Sequence, residues 1–129
     1  MQNAEGVFQF KRWDESAYSE PDGGPKLTEA RVSNDFRGDI EGSSDLVYVM
    51  TYLTDDSGTF VGYEQVTGRL GDRSGSFVLQ HIGTYEGGTV KDTVTVVPGS
   101  ATGALSGLRG SGSCGGDGEA VFTLDYELA

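Results

Sequence analysis

The sequence predicts an all-β protein: a closed antiparallel β-barrel of about eight strands running up and down. Three observations point there. Apolar and polar residues alternate with period two along most of the chain, and no window places apolar residues at i, i+3, i+4 and i+7 without glycines or β-branched runs. Turn signals built from Gly, Asp, Ser and Pro recur at a steady spacing. Glycine reaches 21 of 129 residues while proline is only three, unlike disordered Gly/Pro-rich chains, so the glycines mark bulges and bends within strands.

The elements follow in order. Residues 7–13 form the first strand, and the polar run 14–26, with Pro21, Asp22, Gly23, Gly24 and Pro25, reads as the longest connection. Residues 27–40 place Thr28, Ala30, Val32, Asn34 and Phe36 on one face and Glu29, Arg31, Ser33 and Asp35 on the other, with bends at Gly38 and Gly42. Residues 46–53 and 59–70 make a hairpin across Thr54, Asp55, Asp56, Ser57 and Gly58. A turn at Gly71, Asp72, Arg73 and Ser74 leads to a fifth strand at 75–85, and one at Glu86, Gly87 and Gly88 to a sixth at 89–97. Pro98, Gly99 and Ser100 precede a seventh strand at 102–111, residues 114–118 form the last loop, and residues 120–128 close the chain. Sequential hairpins favour a barrel over a sandwich because closure removes exposed edges, and an eight-strand interior holds one small ligand.

Residues 1–129 make a single domain, since 129 residues with 36% apolar content supply one core and no second. Twenty acidic against nine basic residues, a net charge of -11, exclude nucleic acid and anionic membrane as partners. The lone cysteine, Cys114, forbids an intrachain disulfide and predicts a reducing, cytoplasmic setting. Neither a basic-then-apolar leader nor a run of about 20 apolar residues is present, so the expectation is a protein neither exported by that route nor embedded in a membrane.

The alternation carries Glu64 and His81 onto the apolar inner face. One hairpin pairs Glu64 with His81, Val66 with Leu79 and Gly68 with Phe77, and the preceding hairpin brings Tyr48 alongside Glu64, with Met50 and Tyr52 nearby. A buried carboxylate needs hydrogen-bond donors or a raised pKa, so Glu64, His81 and Tyr48 are the candidate catalytic row; alternatively they satisfy one another inside the core. Candidate ligand contacts are Trp13, Phe36, Met50, Tyr52, Phe60, Phe77, Leu79 and Tyr126, although inward aromatics such as these are usually core.

Other motifs fall away. The run Gly99, Ser100, Ala101, Thr102, Gly103 lacks the Lys and following helix of a phosphate loop, and one His with one Cys cannot build a structural zinc site. Ser74, Ser76 and Ser100 have no triad geometry with His81. No metal and no cofactor is expected.

Trp13-Asp14-Glu15, Gly38 to Gly42, Gly62-Tyr63-Glu64 and Gly68, together with GDRSGSFVLQH from Gly71, VPGSATG from Val97, LSGLRG from Leu105 and LDYEL from Leu124, resemble a small bacterial family of uncharacterised proteins with the allene oxide cyclase type of barrel. The resemblance covers nearly the whole chain. Ala101 departs from that family's Gly-Ser-Gly-Thr-Gly run, which weakens a role for that turn. The fold likeness implies a cofactor-independent cyclase or isomerase acting on a small, largely apolar, polyketide- or fatty-acid-like molecule. A non-catalytic barrel binding a small hydrophobic ligand and a plugged structural barrel are the alternatives, because folds host many functions. Val78 and Ile82 on the outer face allow a homodimer.

Overall fold

The structure, a computed structural model, describes residues 2–117 and 120–128. Nine antiparallel strands make one sheet: β1 (Gln2–Ser19), β2 (Lys26–Gly38), β3 (Ile40–Thr54), β4 (Ser57–Leu70), β5 (Arg73–Glu86), β6 (Thr89–Val96), β7 (Thr102–Gly103), β8 (Arg109–Asp117) and β9 (Val121–Glu127). Strand order β4-β3-β2-β1-β9-β8-β6-β5, with β4 also paired to β5, closes a ring of eight strands; the two-residue β7 hangs on β5. Among the described residues there is no helix, hence none long and apolar enough to cross a membrane.

Several strands run longer than the sequence pattern indicates. β1 continues through Trp13 to Ser19, so the expected loop at 14–26 shrinks to Glu20–Pro25. The alternation is broken there by a bulge between Phe10 and Arg12, which hides the continuation from a strict period of two. β3 begins at Ile40, not at residue 46, because Gly38 and Asp39 make a reversal and not a bend within one strand. Gly87 and Gly88, at φ of 58° and 87°, fill a two-residue turn between Glu86 and Thr89 whose two central positions both need positive φ.

The turn between β4 and β5 is shorter than expected: Leu70 pairs with Arg73 across Gly71 and Asp72 alone. The register therefore moves by two. Glu64 faces Leu79, Val66 faces Phe77, Gly68 faces Gly75, and His81 faces Gly62. Tyr48 likewise faces Gly62, and Leu46 faces Glu64. A slip of two leaves every side chain on its original face, so the inward set survives.

The expected strand at 102–111 is corrected most. After Gly103 (φ 64°) the chain turns inward through bonds from Leu105 N to Thr102 O and from Leu108 N to Leu105 O. Leu105 and Leu108, three residues apart, share one side of this turn and are fully buried. They stopper the lower end of the ring, the end bearing the Gly71 turn. The eighth strand of the ring is β8, which takes in Cys114 from the expected last loop; Gly118, at the end of that loop, lies outside the described residues.

The interior has three layers. A lower apolar cluster includes Phe36, Phe77, Leu79, Leu105, Phe122 and Tyr126. An upper one comprises Ala30, Val32, Leu46, Tyr48, Met50 and Phe60. Asn34, Ser44, Glu64, His81 and Asp92, all buried, complete the interior as a polar group. Outside, Val49, Val61 and Ile82 form an exposed cross-strand row, whereas Val78 is half-buried.

Close strand approach at the lower end depends on glycine. Gly42, Gly68, Gly75 and Gly103 pair in one row across β3, β4, β5 and β7. A Cβ on Gly68 would stand 2.1 Å from the Glu41 carbonyl oxygen and 2.8 Å from the Gly42 Cα, both backbone atoms that cannot swing aside. Gly68→Ala is expected to cost about 2 kcal/mol, the usual size of an overpacking strain, read as a lower urea midpoint. An unchanged midpoint would show that the strands can separate freely here.

Candidate functional site

The polar group is built from five strands, β2 to β6. His81 of β5 donates from Nε2 to Glu64 Oε1 at 2.7 Å and from Nδ1 to Asp92 Oδ2 of β6 at 2.6 Å. Glu64 Oε2 accepts from Asn34 Nδ2 at 3.1 Å and from the Ser44 hydroxyl. Gly62 is opposite both His81 and Tyr48, and a Cβ there would stand 3.0 Å from the Tyr48 ring, while His81 reaches diagonally to Glu64. Burial alone would lower the His81 pKa, but hydrogen bonds and charge from Asp92 and Glu64 outweigh it and push it up to about 9. His81 is thus an imidazolium at neutral pH, clamped between two carboxylates. Burial raises the Asp92 pKa against the pull of His81.

Tyr48 joins by its ring, not by a hydrogen bond to Glu64. The ring meets His81 edge-on at 5.7 Å and Phe60 edge-on at 5.2 Å, and lies tilted against Trp13 at 5.8 Å. Burial, then the charges of Asp92 and Glu64, keep its phenol protonated, and the same causes raise the Cys114 thiol. The space bounded by Asn34, Tyr48, Glu64, His81 and Cys114 is about 10 Å³, the room of one water. Donor atoms of His81, Asp92 and Cys114 lie within 4.8 Å of one another. Both imidazole nitrogens already serve carboxylates and the thiol holds its proton, so this is a hydrogen-bonded charge network first and a metal cradle only if those bonds are surrendered.

The upper end is built differently. β9 pairs with β1 only as far as Val7 opposite Val121, and Phe8 N–H reaches Ala120 O. Beyond that point β1 has β2 on one side and no paired strand on the other among the described residues. The bulge after Phe10 resets the alternation: Phe10 pairs with Asn34, Trp13 with Val32, Glu15 with Ala30 and Ala17 with Thr28, all inward-facing partners. Phe10 and Trp13 therefore point inward yet remain 47% and 41% exposed, because no wall stands opposite them.

Glu15 organises this mouth. Its Oε1 accepts from Trp13 Nε1 at 3.0 Å, and its Oε2 accepts from Thr28 Oγ1 at 2.7 Å and from the Tyr52 hydroxyl. Partial burial pushes the Glu15 pKa up, but these three donors and nearby Lys26 more than offset it and hold the carboxyl below its ordinary value. Burial and the Glu15 hydrogen bond raise Tyr52, so the proton stays on the phenol. Lys26 Nζ stands 4.7 Å above the Tyr52 ring. An opening of about 660 Å³ is lined by residues that include Glu15, Glu20, Lys26, Thr28, Tyr52 and Asp55.

The structure brings Glu64 and His81 together, as expected, and adds Tyr48 through its ring. Of the candidate ligand contacts, Trp13, Met50 and Tyr52 gather at the mouth and Phe60 packs beneath them against Tyr48. Phe36, Phe77, Leu79 and Tyr126 belong to the lower cluster instead. Sequence reasoning missed Asp92 and Glu15. Asp92 shares the parity of Val90, Val94 and Val96, an acid on an apolar face, which was a readable signal. Glu15 was hidden by the bulge.

Fold and site together define a closed eight-strand antiparallel ring, stoppered at one end, with a buried acid–histidine–acid core and an aromatic mouth. The chain belongs to the DUF3224 family of proteins of unknown function, whose family model matches residues 4–127. A crystal structure of a DUF3224 protein of unknown function from Shewanella oneidensis MR-1 is similar over 100% of this chain and 98% of that one, with 30% identity and a TM-score of 0.86. No curated protein matches.

Proposed function

We propose that this chain is a small-molecule-binding barrel of the allene oxide cyclase type, and that its ligand seats in the upper mouth against Phe10, Trp13, Tyr48, Met50 and Tyr52. The observation that carries the reading is the exposure of Phe10 and Trp13 on the inward face, since large aromatic rings left wet inside a fold mark a surface made for contact. The ligand is small and largely apolar, with a polar group directed at Glu15 and the Tyr52 hydroxyl.

A cyclase or isomerase reading of the same mouth is favoured by one feature, the hydrogen-bonded Glu15–Tyr52 pair, which can hold or pass a proton at the opening. Glu64 and His81 suit that work less, because both imidazole nitrogens are occupied and the space beside them admits one water.

The test is titration with the neutral apolar fluorophore N-phenyl-1-naphthylamine. Its emission is expected to rise on binding, and Trp13→Ala is expected to weaken binding by at least about tenfold, the size of losing one aromatic anchor. Binding indifferent to Trp13→Ala, or no binding, overturns the proposal. Turnover lost in Glu15→Gln with binding retained would select the catalytic reading.

A further inference from the structure

We infer that the molecule taken by this mouth is an organic cation, with its ammonium group between the Tyr52 ring and the Glu15 carboxylate and its apolar part against Trp13 and Phe10. The inference rests on the binding proposal above and adds the ligand's charge.

The chain already shows the interaction with one of its own groups. Lys26 extends an exposed, flexible side chain over the Tyr52 face, with its ammonium 4.7 Å from the ring centroid. A cation above an aromatic face within about 6 Å is attracted by the ring's negative quadrupole. The Tyr52 hydroxyl is tied to Glu15, so the ring is held in place for such a partner. An entering ammonium exchanges with the Lys26 ammonium, and the mouth's charge pairing is kept.

Charge around the opening favours the same sign. Three carboxylates, Glu15, Glu20 and Asp55, line it against one cation, Lys26, an excess of two negative charges (3 − 1). Glu15, Asp56 and Asp55 also act on Tyr85, whose ring packs against Tyr52 at 5.6 Å. The whole chain carries -11, so a negatively charged, fatty-acid-like ligand is repelled at long range and an ammonium is drawn in.

Trp13 is the only tryptophan and is hydrogen-bonded to Glu15, which lines the opening, so its fluorescence reports binding without a label. Three probes of similar shape are titrated into the full chain: benzyltrimethylammonium, neutral benzyl dimethyl carbinol and phenylacetate. The cation is expected to bind at least about tenfold tighter than the carbinol, within the range of a partly desolvated cation–aromatic contact, and phenylacetate weakest. Glu15→Gln, whose single amide oxygen can keep the Thr28 and Tyr52 hydrogen bonds but not the Trp13 one as well, is expected to erase that preference, so that the cation binds the variant no tighter than the carbinol does. Lys26→Met, which removes the resident ammonium, is expected to tighten cation binding several-fold. If Lys26 instead anchors an anion, Lys26→Met weakens phenylacetate and leaves the cation unimproved, and the inference falls. Carbinol binding equal to the cation overturns the charge assignment and leaves the binding proposal standing; no response to any probe removes both.

Discussion

His81→Leu is expected to destabilise the protein by about 3–5 kcal/mol at pH 7, the cost of breaking a buried ion network by removing one partner. Glu64 and Asp92 have side chains only 2% and 3% exposed, and His81 stands between them with a proton directed at each. Without the imidazolium two buried carboxylates remain with no cation between them, and leucine supplies no donor. Asp92 suffers most, because its Oδ1 has no partner among the described residues and its Oδ2 bonds to His81. Glu64 keeps Asn34 and Ser44. Urea unfolding at constant m-value checks the magnitude. Adding Glu64→Leu and Asp92→Leu is expected to recover much of the loss, because a buried ionic group replaced whole by apolar side chains is often neutral or stabilising. A single-variant loss under about 1 kcal/mol would place this layer among the weak, water-screened pairs.

That layer also shows how far the sequence could be read. The inward positions of Glu64 and His81 follow from parity alone, and parity survives any register slip of two, so a wrong turn length at Gly71 and Asp72 left the faces intact. What a strand sees across the ring does not follow from parity. Asp92 reaches His81 because β6 lies beside β5, with His81 opposite Val94 and Gly83 opposite Asp92. The mouth was harder still, since one extra residue near Lys11 moves Trp13, Glu15 and Ala17 onto the other parity, so that strict alternation ends the strand where it in fact continues. The stopper was misread for a different reason. Thr102 to Ser111 alternates well enough for a strand, but Gly103 and Gly107, at φ of 64° and 87°, fold the chain inward, and only tertiary burial of Leu105 and Leu108 selects that path.

Between about pH 6.5 and 9 the unfolding free energy is expected to fall by roughly 3 kcal/mol, the value of a pKa raised from 6.5 to about 9 at 1.36 kcal/mol per unit. The folded state holds the His81 proton more tightly than the unfolded chain does. The stabilisation is therefore complete below pH 6.5, where both states are protonated, and disappears as pH rises through the folded value. Cys114 extends the decline: its thiol is raised by burial and the charges of Asp92 and Glu64, so the unfolded chain ionises first above about pH 8.5 and folding loses further ground. Cys114→Ser separates the two contributions, since it removes the alkaline extension and keeps the histidine slope. Asp92, whose carboxyl burial holds above the ordinary carboxylate range, acts on the acid side of the histidine window. The lone histidine makes the test direct, because one imidazole signal in an NMR titration belongs to His81. A midpoint near 9 with both ring nitrogens protonated at pH 7 gives the expected slope, and Asp92→Asn lowers that midpoint. A flat stability profile across the window, with His81 neutral at pH 7, would instead put the shared proton on a carboxylate and make this core an acid held neutral by burial.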